Sequence, residues 1–380
     1  MENTAASIDV ERQKQAKTYS RIKRRLMLLD LGVGGVYTLA WLVLGWSGAL
    51  KQALLPVTTN DWLLVLLYAL VFGGIYLVIT LPLSYYEEYT LPHRFEMSTQ
   101  TPGGWVGDQL KGLAVSGILG AVLLEIVYAL LRAAPDTWWI WVSLILLVFS
   151  VLLANLAPVL LMPLFNKYTP LGEEHADLAE RLIRLAERAN TRVQGVYKFD
   201  MSRRTKAANA ALTGLGRTRR IILGDTLISE FTPDEIETVL AHELGHQVNR
   251  DIPLLIGGQS LITLVGMYLA SLALRWGAAY FGFQGPADIA ALPVFALVIG
   301  TYGLVSMPLG NALTRWRERK ADEYALAVTG NGPAFASALT RLANQNLAEV
   351  DPEPWEEFLL YSHPALNKRI EMAQGVKGNP

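Results

Sequence analysis

Two histidines and a glutamate in Ala241-His242-Glu243-Leu244-Gly245-His246 have the spacing that zinc-assisted hydrolysis needs. Residues four apart lie on one helical face, so both imidazoles reach a single ion at about 2.0–2.1 Å from each nitrogen. Glu243 is offset beside the metal and meets a bound water instead of the ion. Zinc lowers the pKa of such a water toward about 7. A carboxylate within hydrogen-bonding reach then takes its proton during attack on a carbonyl and passes it to the leaving amine. His242 and His246 are thus assigned to the metal and Glu243 to proton transfer. A His-Glu-x-x-His match also arises by chance on polar helix faces. Here only five histidines exist in the chain, and Ile236, Val239, Leu240 and Leu244 give the helix a packing face.

A catalytic zinc needs a third protein ligand and an open fourth position. No histidine follows closely, which argues against the subclass whose third ligand is a downstream histidine. The best candidate lies in Thr314-Arg315-Trp316-Arg317-Glu318-Arg319-Lys320-Ala321-Asp322-Glu323, where Glu318 and Asp322 share a face one turn apart. Glu318 would bind the ion, and Asp322 would accept the distal N–H of a ligand histidine. Taken alone, the same segment reads as a solvated juxtamembrane helix laced with charge pairs.

The elements that must position these groups are legible nearby. Thr232-Pro233-Asp234-Glu235 combines a capping box, a proline at the first helical position and acids at the positive dipole end, so the histidine helix starts there and runs to about Arg250. Ahead of it the sequence predicts an amphipathic helix over 173–190 and strands over 196–199 and 220–223, joined by a polar stretch, 201–219. The Glu318 helix continues out of an apolar run through Val328 to a stop at Gly330. The tail, 331–380, reads as helical and polar.

The rest of the chain is a membrane pattern. No charged residue lies between Asp30 and Lys51, nor in 62–86, 137–166, 252–274 and 289–314, and 112–131 holds one, Glu125. A span needs about 20 residues, so six spans are expected. Glu125, ionisable within the membrane, should face a cavity or a partner. The polar, basic first 25 residues do not read as a cleavable signal peptide, so the N-terminus is expected to be retained. Arg12, Lys14, Lys17, Arg21, Lys23, Arg24 and Arg25 precede the first span and place that end in the cytoplasm. Six spans put 87–111, 167–251 and 315–380 on the same side, where most other basic residues fall. Residues 1–166 are expected to form a four-span membrane domain with a polar loop, 87–111. Residues 167–380 are expected to form a metallopeptidase domain with two further spans at about 252–274 and 289–314. A net charge of −1 supplies no overall field to steer nucleic acid, and no nucleic-acid partner is expected. The absence of cysteine excludes disulfides, thiolate catalysis and Cys-based metal sites.

From about Tyr85 to Ile370 the chain resembles the type I CAAX prenyl protease family of integral-membrane zinc metallopeptidases, with the HtpX heat-shock proteases more distant. Besides the His242–His246 motif, the family's Arg-x-x-Glu-x-x-Ala-Asp segment appears from Arg315 to Asp322. Other family-like stretches are Pro163-Leu164-Phe165-Asn166-Lys167-Tyr168-Thr169-Pro170-Leu171, Asn209-Ala210 with Gly214-Leu215-Gly216, Ile222-Leu223-Gly224-Asp225-Thr226-Leu227, Ser362-His363-Pro364 and Arg369-Ile370. The resemblance implies a mainly α, polytopic membrane fold carrying a gluzincin-type peptidase domain with a small β-sheet. It also implies one Zn2+ per chain, with Glu318 as third ligand and Asp322 behind it, facing a water-accessible chamber from the cytoplasmic side. Asn209 and Ala210 would bind substrate backbone by β-addition, with Arg315 also at the substrate. His363 would stabilise the oxyanion; read by residue type alone, it is equally a packing histidine before a proline turn. Two departures stand out: Ala207, Ala208 and Ala211 replace polar and aromatic neighbours of the Asn-Ala pair, and six spans are counted where eukaryotic members have seven.

The function expected is an endopeptidase acting on a peptide or protein substrate, membrane-associated or lipidated, in a bacterial inner (cytoplasmic) membrane. Quality-control proteolysis of the HtpX kind is an alternative within the same chemistry. A membrane scaffold or transporter with a structural metal is disfavoured, since structural sites take four protein ligands and only three are found.

Overall fold

The computed structural model describes residues 6–214 and 216–375. Inside a bilayer the backbone must satisfy its own polar groups, so long uncharged runs become helices. Among the described residues six helices are long and apolar enough to cross a membrane. Helix α1 (Val10–Val43) starts at Asp9, whose carboxylate accepts the Glu11 and Arg12 N–H groups. It ends before Gly45, which adopts φ +72°, and the short α2 (Trp46–Leu54) follows. The uncharged stretch after Asp30 is therefore divided between two helices, because a left-handed glycine breaks the α-helical path. Helix α3 (Asp61–Tyr85) continues through a wider π-type turn at Tyr86–Thr90 into α4 (Leu91–Arg94), and α5 (Pro102–Ala133) is capped by Thr101. Most of the expected polar loop 87–111 is thus helical. A helix formed in the membrane extends cheaply into water, because propagation costs far less than nucleation. Helices α6 (Trp138–Leu156) and α7 (Met162–Phe165) complete this part.

A four-stranded sheet follows: β1 (Tyr168–Pro170), β2 (Val196–Phe199), β3 (Ala210–Thr213) and β4 (Arg220–Gly224), in the order β1-β2-β4-β3. β2 and β4 are parallel; both outer pairs are antiparallel. The stretch 201–219, read from its residues as a polar connection and from the resemblance as holding a backbone-pairing segment at Asn209-Ala210, contains the edge strand β3. Helices α8 (Ala176–Arg188), α9 (Asp225–Glu230) and α10 (Pro233–Val248) pack with the sheet. Then α11 (Asp251–Tyr280) and α12 (Leu292–Thr329) run through the apolar zone, and α13 (Gly332–Gln345), α14 (Pro354–Leu360) and α15 (Leu366–Gly375) close the chain.

Two cores result. Tyr68, Tyr128, Trp138, Leu274 and Ala291 are buried between the spanning helices. Leu70, Val78, Ile118 and Val305 on the same helices are 66–74 % exposed, a surface suited to lipid. The second core joins Leu182, Ile221, Leu223, Leu240, Leu244 and Phe335 across α8, the sheet, α10 and α13. Glu125, on α5, has both carboxylate oxygens buried without a hydrogen-bond partner.

Candidate metallopeptidase site

Helix α10 is fixed at its start by the expected capping box: Glu235 accepts the Thr232 N–H at 2.8 Å, and Thr232 Oγ1 accepts the Glu235 N–H. The other Glu235 oxygen accepts from Ser337 and Arg341 on α13, so the cap also docks the helix. The histidine face of α10 lies against α12. Gly245 permits the approach, since a Cβ there would stand 2.9 Å from the Ala321 Cα and 3.0 Å from its carbonyl oxygen.

This close crossing brings Glu318 to both histidines. His242 Nε2 lies 3.2 Å from Glu318 Oε2, and His246 Nε2 lies 3.5 Å from Glu318 Oε1. Ligands at about 2.0–2.1 Å from a tetrahedral ion stand about 3.3 Å apart, so the three residues fit a metal of zinc's size. All three ligand atoms lie within 4.8 Å of one another. Glu318 is 5 % exposed, and its Oε2 is buried without a hydrogen bond, as an oxygen reserved for a cation would be.

The far nitrogen of each ring is held by a carboxylate backed by an arginine. His242 Nδ1 lies 2.8 Å from Asp322 Oδ1, and Asp322 takes a two-pronged contact from Arg369 Nε and Nη2 at 2.8 and 2.7 Å. His246 Nδ1 lies 2.8 Å from Asp251 Oδ2, and Arg317 donates to the other oxygen of Asp251 and to the Asn249 carbonyl. Both relays leave Nε2 free to face Glu318. Asp251 gets there through a left-handed turn at Arg250, φ +54°, between α10 and α11. Burial works against charge on His242, but the Asp322 and Glu318 carboxylates outweigh it and raise its pKa to about 9.

Glu243 points to the sheet side. Burial pushes its carboxyl above the ordinary glutamate range, opposed by His242, His246 and the Leu212 N–H it accepts. Leu212 belongs to β3, the edge strand. Within β3, Gly224 N–H donates to Asn209 O, so residues 209, 211 and 213 face β4 and the backbone groups of Ala210 and Leu212 face the free edge. Asn346 clamps the approach to this strand, accepting the Ala208 N–H and donating to its carbonyl.

His363 joins the cluster from the tail, its Nε2 3.4 Å from Glu318 Oε1, its Nδ1 2.9 Å from Ser362 Oγ and its side chain 54 % exposed. Arg315 is turned elsewhere: its Nη1 donates to the carbonyls of Glu357 and Tyr361, tying α14 and the segment before His363 to α12.

A sequence model described as "Peptidase family M48" matches residues 173–377, and one described as "CAAX prenyl protease N-terminal, five membrane helices" matches residues 2–167. The chain is 30 % identical to the uncharacterized metalloprotease YhfN of Bacillus subtilis and 30 % identical to CAAX prenyl protease 1 of Saccharomyces cerevisiae, in each case over 96 % of this chain and 86 % of the relative. The chain belongs to peptidase family M48. As such it is an integral-membrane metalloprotease, a hydrolase of peptide bonds. The fold agrees with the crystal structure of S. mikatae Ste24p, with a TM-score of 0.86 and 24 % identity over 98 % of this chain and 92 % of that one. Among the described residues of its N-terminal region this M48 chain has four helices able to span a membrane, plus the nine-residue α2.

Residue patterns had left four contributors to this M48 site without a role: Asp251, Arg317, Arg369 and the Leu212 N–H. Asp251, five residues past His246, carries a faint local signal at the end of the histidine helix. The partners of Arg317 and Arg369 lie 66 and 47 residues away, beyond any local pattern.

Proposed function

We propose that the protein is a zinc-dependent endopeptidase that cuts extended peptide segments at the cytoplasmic face of a bacterial cytoplasmic membrane. The observation that carries this reading is the placement of His242, His246 and Glu318 at the edge spacing of a tetrahedral zinc, with Glu243 beside them. Zinc bound there would lower the pKa of a water to about 7 and polarise the substrate carbonyl. Glu243 accepts the proton of the attacking water, and its raised pKa suits both that transfer and return of the proton to the leaving amine.

The substrate pairs as an added strand on the free edge of β3, through the backbone of Ala210 and the Leu212 carbonyl, with Asn209 at the end of the strand. This places the scissile bond near Glu243, which already touches Leu212. His363 donates to the oxyanion that forms on the carbonyl. Arg315 acts through the backbone that carries His363. The chain divides into a four-span membrane domain, 1–166, and a peptidase domain, 167–380, that carries two further spans at about 252–274 and 289–314. The cluster of seven basic residues from Arg12 to Arg25 supports the cytoplasmic orientation. Relatives named CAAX prenyl protease 1 make a lipid-bearing substrate a reasonable class to test first.

The decisive experiment measures bound zinc and cleavage of an unstructured peptide by wild type and Glu243→Gln. The variant should hold one zinc per chain and lose activity by about 10²–10⁴-fold. A variant that holds zinc and cleaves at the wild-type rate would end this mechanism.

A further inference from the structure

We propose that α14 is a membrane anchor: Trp355 and Phe358 seat its outer face in the interface of the bilayer, and that seating holds the segment leading to His363 in place. The catalytic half of this statement rests on the role given to His363 above.

The helix is built inside out for a chain in water. Trp355 and Phe358, three apart and therefore on one face, are turned outward and are 53 % and 58 % exposed. Glu356, next to Trp355 in the chain, is buried instead, its Oε2 2.8 Å from Arg24 Nη1 of α1. Glu357 is turned inward too and accepts the Ala365 N–H at 3.1 Å. A helix facing water does the reverse, with carboxylates outside and rings inside. A bilayer interface favours the arrangement seen here, because aromatic rings are at home among lipid headgroups.

The position of α14 points to the same partner. Asn311 of α12 donates to the Leu359 carbonyl at 2.7 Å, and Arg315 donates to the carbonyls of Glu357 and Tyr361. Arg315 is the first charged residue after the uncharged run 289–314, so α14 lies at the level where the apolar part of α12 ends. Aromatic side chains gather at that level of a membrane protein. On the adjoining face of α12, Val305, Leu309 and Trp316 follow one another at helical spacing and are exposed, which carries the surface suited to lipid up to the same level. One exposed ring alone would need no explanation. Two rings on a helix docked beside this stripe extend it.

The path from the anchor to the site is short. Tyr361, Ser362 and His363 follow α14 directly, and His363 Nε2 lies 3.4 Å from Glu318 Oε1. Arg24, Asn311 and Arg315 hold the inner face of α14, and lipid against the outer face completes its restraint. Withdrawal of the rings from the interface would let the His363 segment shift.

The full chain has no cysteine, so one introduced thiol reports on one place. Phe358→Cys carrying the fluorophore NBD is reconstituted in vesicles of phosphatidylethanolamine and phosphatidylglycerol. Val305→Cys serves as the lipid reference and the exposed Glu371→Cys as the water reference. A lipid bearing a nitroxide near its headgroup should quench the label at 358 severalfold more than at 371, and aqueous iodide should do the opposite. Quenching at 358 that matches 371 would overturn the proposal. Protection from both quenchers would assign the face to a protein partner, a second copy of the chain included, and overturn it as well. Trp355→Ser combined with Phe358→Ser should lower kcat in vesicles about ten- to a hundredfold, with KM little changed and zinc content as in wild type. Exchange of the rings, Trp355→Phe with Phe358→Trp, should keep the wild-type kcat, which a close-packed role for either ring would not allow. An unchanged kcat in the double serine variant would overturn the link to His363. Depth is read without turnover, so a wild type that fails to cleave would count against the peptidase reading and leave the anchor standing.

Discussion

Asp251 lies five residues beyond His246 in the chain, yet its carboxylate stands 2.8 Å from His246 Nδ1, across the left-handed turn at Arg250. It is 1 % exposed and held in turn by Arg317. A carboxylate in this position fixes both the tautomer and the orientation of a ligand histidine. Asp251→Asn should therefore weaken zinc binding about 10–100-fold while the chain stays folded. Competition against a chelator of known affinity measures this, and wild-type affinity would remove Asp251 from the site.

Gly245 lets α10 and α12 touch. A methyl group there meets the backbone of Ala321 rather than a flexible side-chain tip. Gly245→Ala should cost about 1–3 kcal/mol as overpacking. The helices should separate enough to move Glu318 from the histidines, so bound zinc should fall below one per chain. Unfolding curves and zinc analysis of the purified variant check both effects, and wild-type values in both would contradict the close-approach argument.

His363 is half exposed, and its Nε2 stands 3.4 Å from Glu318. His363→Ala should keep its zinc and lose kcat by about 10²–10³-fold, with a smaller change in KM. Arg315→Met should act in the same direction, because it frees the carbonyls of Glu357 and Tyr361 that hold the approach to His363. Steady-state kinetics with zinc content measured on the same sample decides; loss of zinc in His363→Ala would point to a ligand role instead.

Metal binding should compete with a proton at His242. The Asp322 and Glu318 carboxylates overcome burial and raise its pKa to about 9. A raised pKa means that the ring holds its proton below that value, whereas a ligand imidazole must be neutral. Zinc affinity should therefore rise with pH, by about tenfold per unit for one displaced proton, and level off near pH 9. Chelator competition from pH 6.5 to 9.5 tests it; a flat profile over that range would show that no proton leaves.

Arg369 is the counter-ion of Asp322, which is fully buried. Arg369→Leu would strand that charge, and breaking a buried pair costs about 3–5 kcal/mol. A lowered midpoint of chemical unfolding should accompany weaker zinc binding. An unchanged midpoint would mean that Asp322 is satisfied by His242 alone.

What was readable without coordinates depends on local patterns. The helix that carries His242, Glu243 and His246 announces itself by a capping box and an apolar face, and both follow from neighbours a few residues apart. The spans follow from uncharged runs, because lipid admits few alternatives to a helix. Strand β2 was readable from its residues, whereas β3 was not: Ala210-Ala211-Leu212-Thr213 has weak strand propensity and becomes a strand through pairing with β4.

The amino-acid sequence by itself determined six apolar runs long enough to cross a membrane and two histidines with a glutamate in hydrolytic register, since helix periodicity and lipid exclusion act on near neighbours. Only the tertiary structure brought Glu318 of α12 to those histidines and joined His242 to Asp322 across 80 residues. It alone set Asp251 under His246 and laid the edge of β3 beside Glu243. The reason is physical: these contacts depend on how closely α10 can approach α12 at Gly245 and on where the sheet ends, and both are settled by packing between elements distant in the chain.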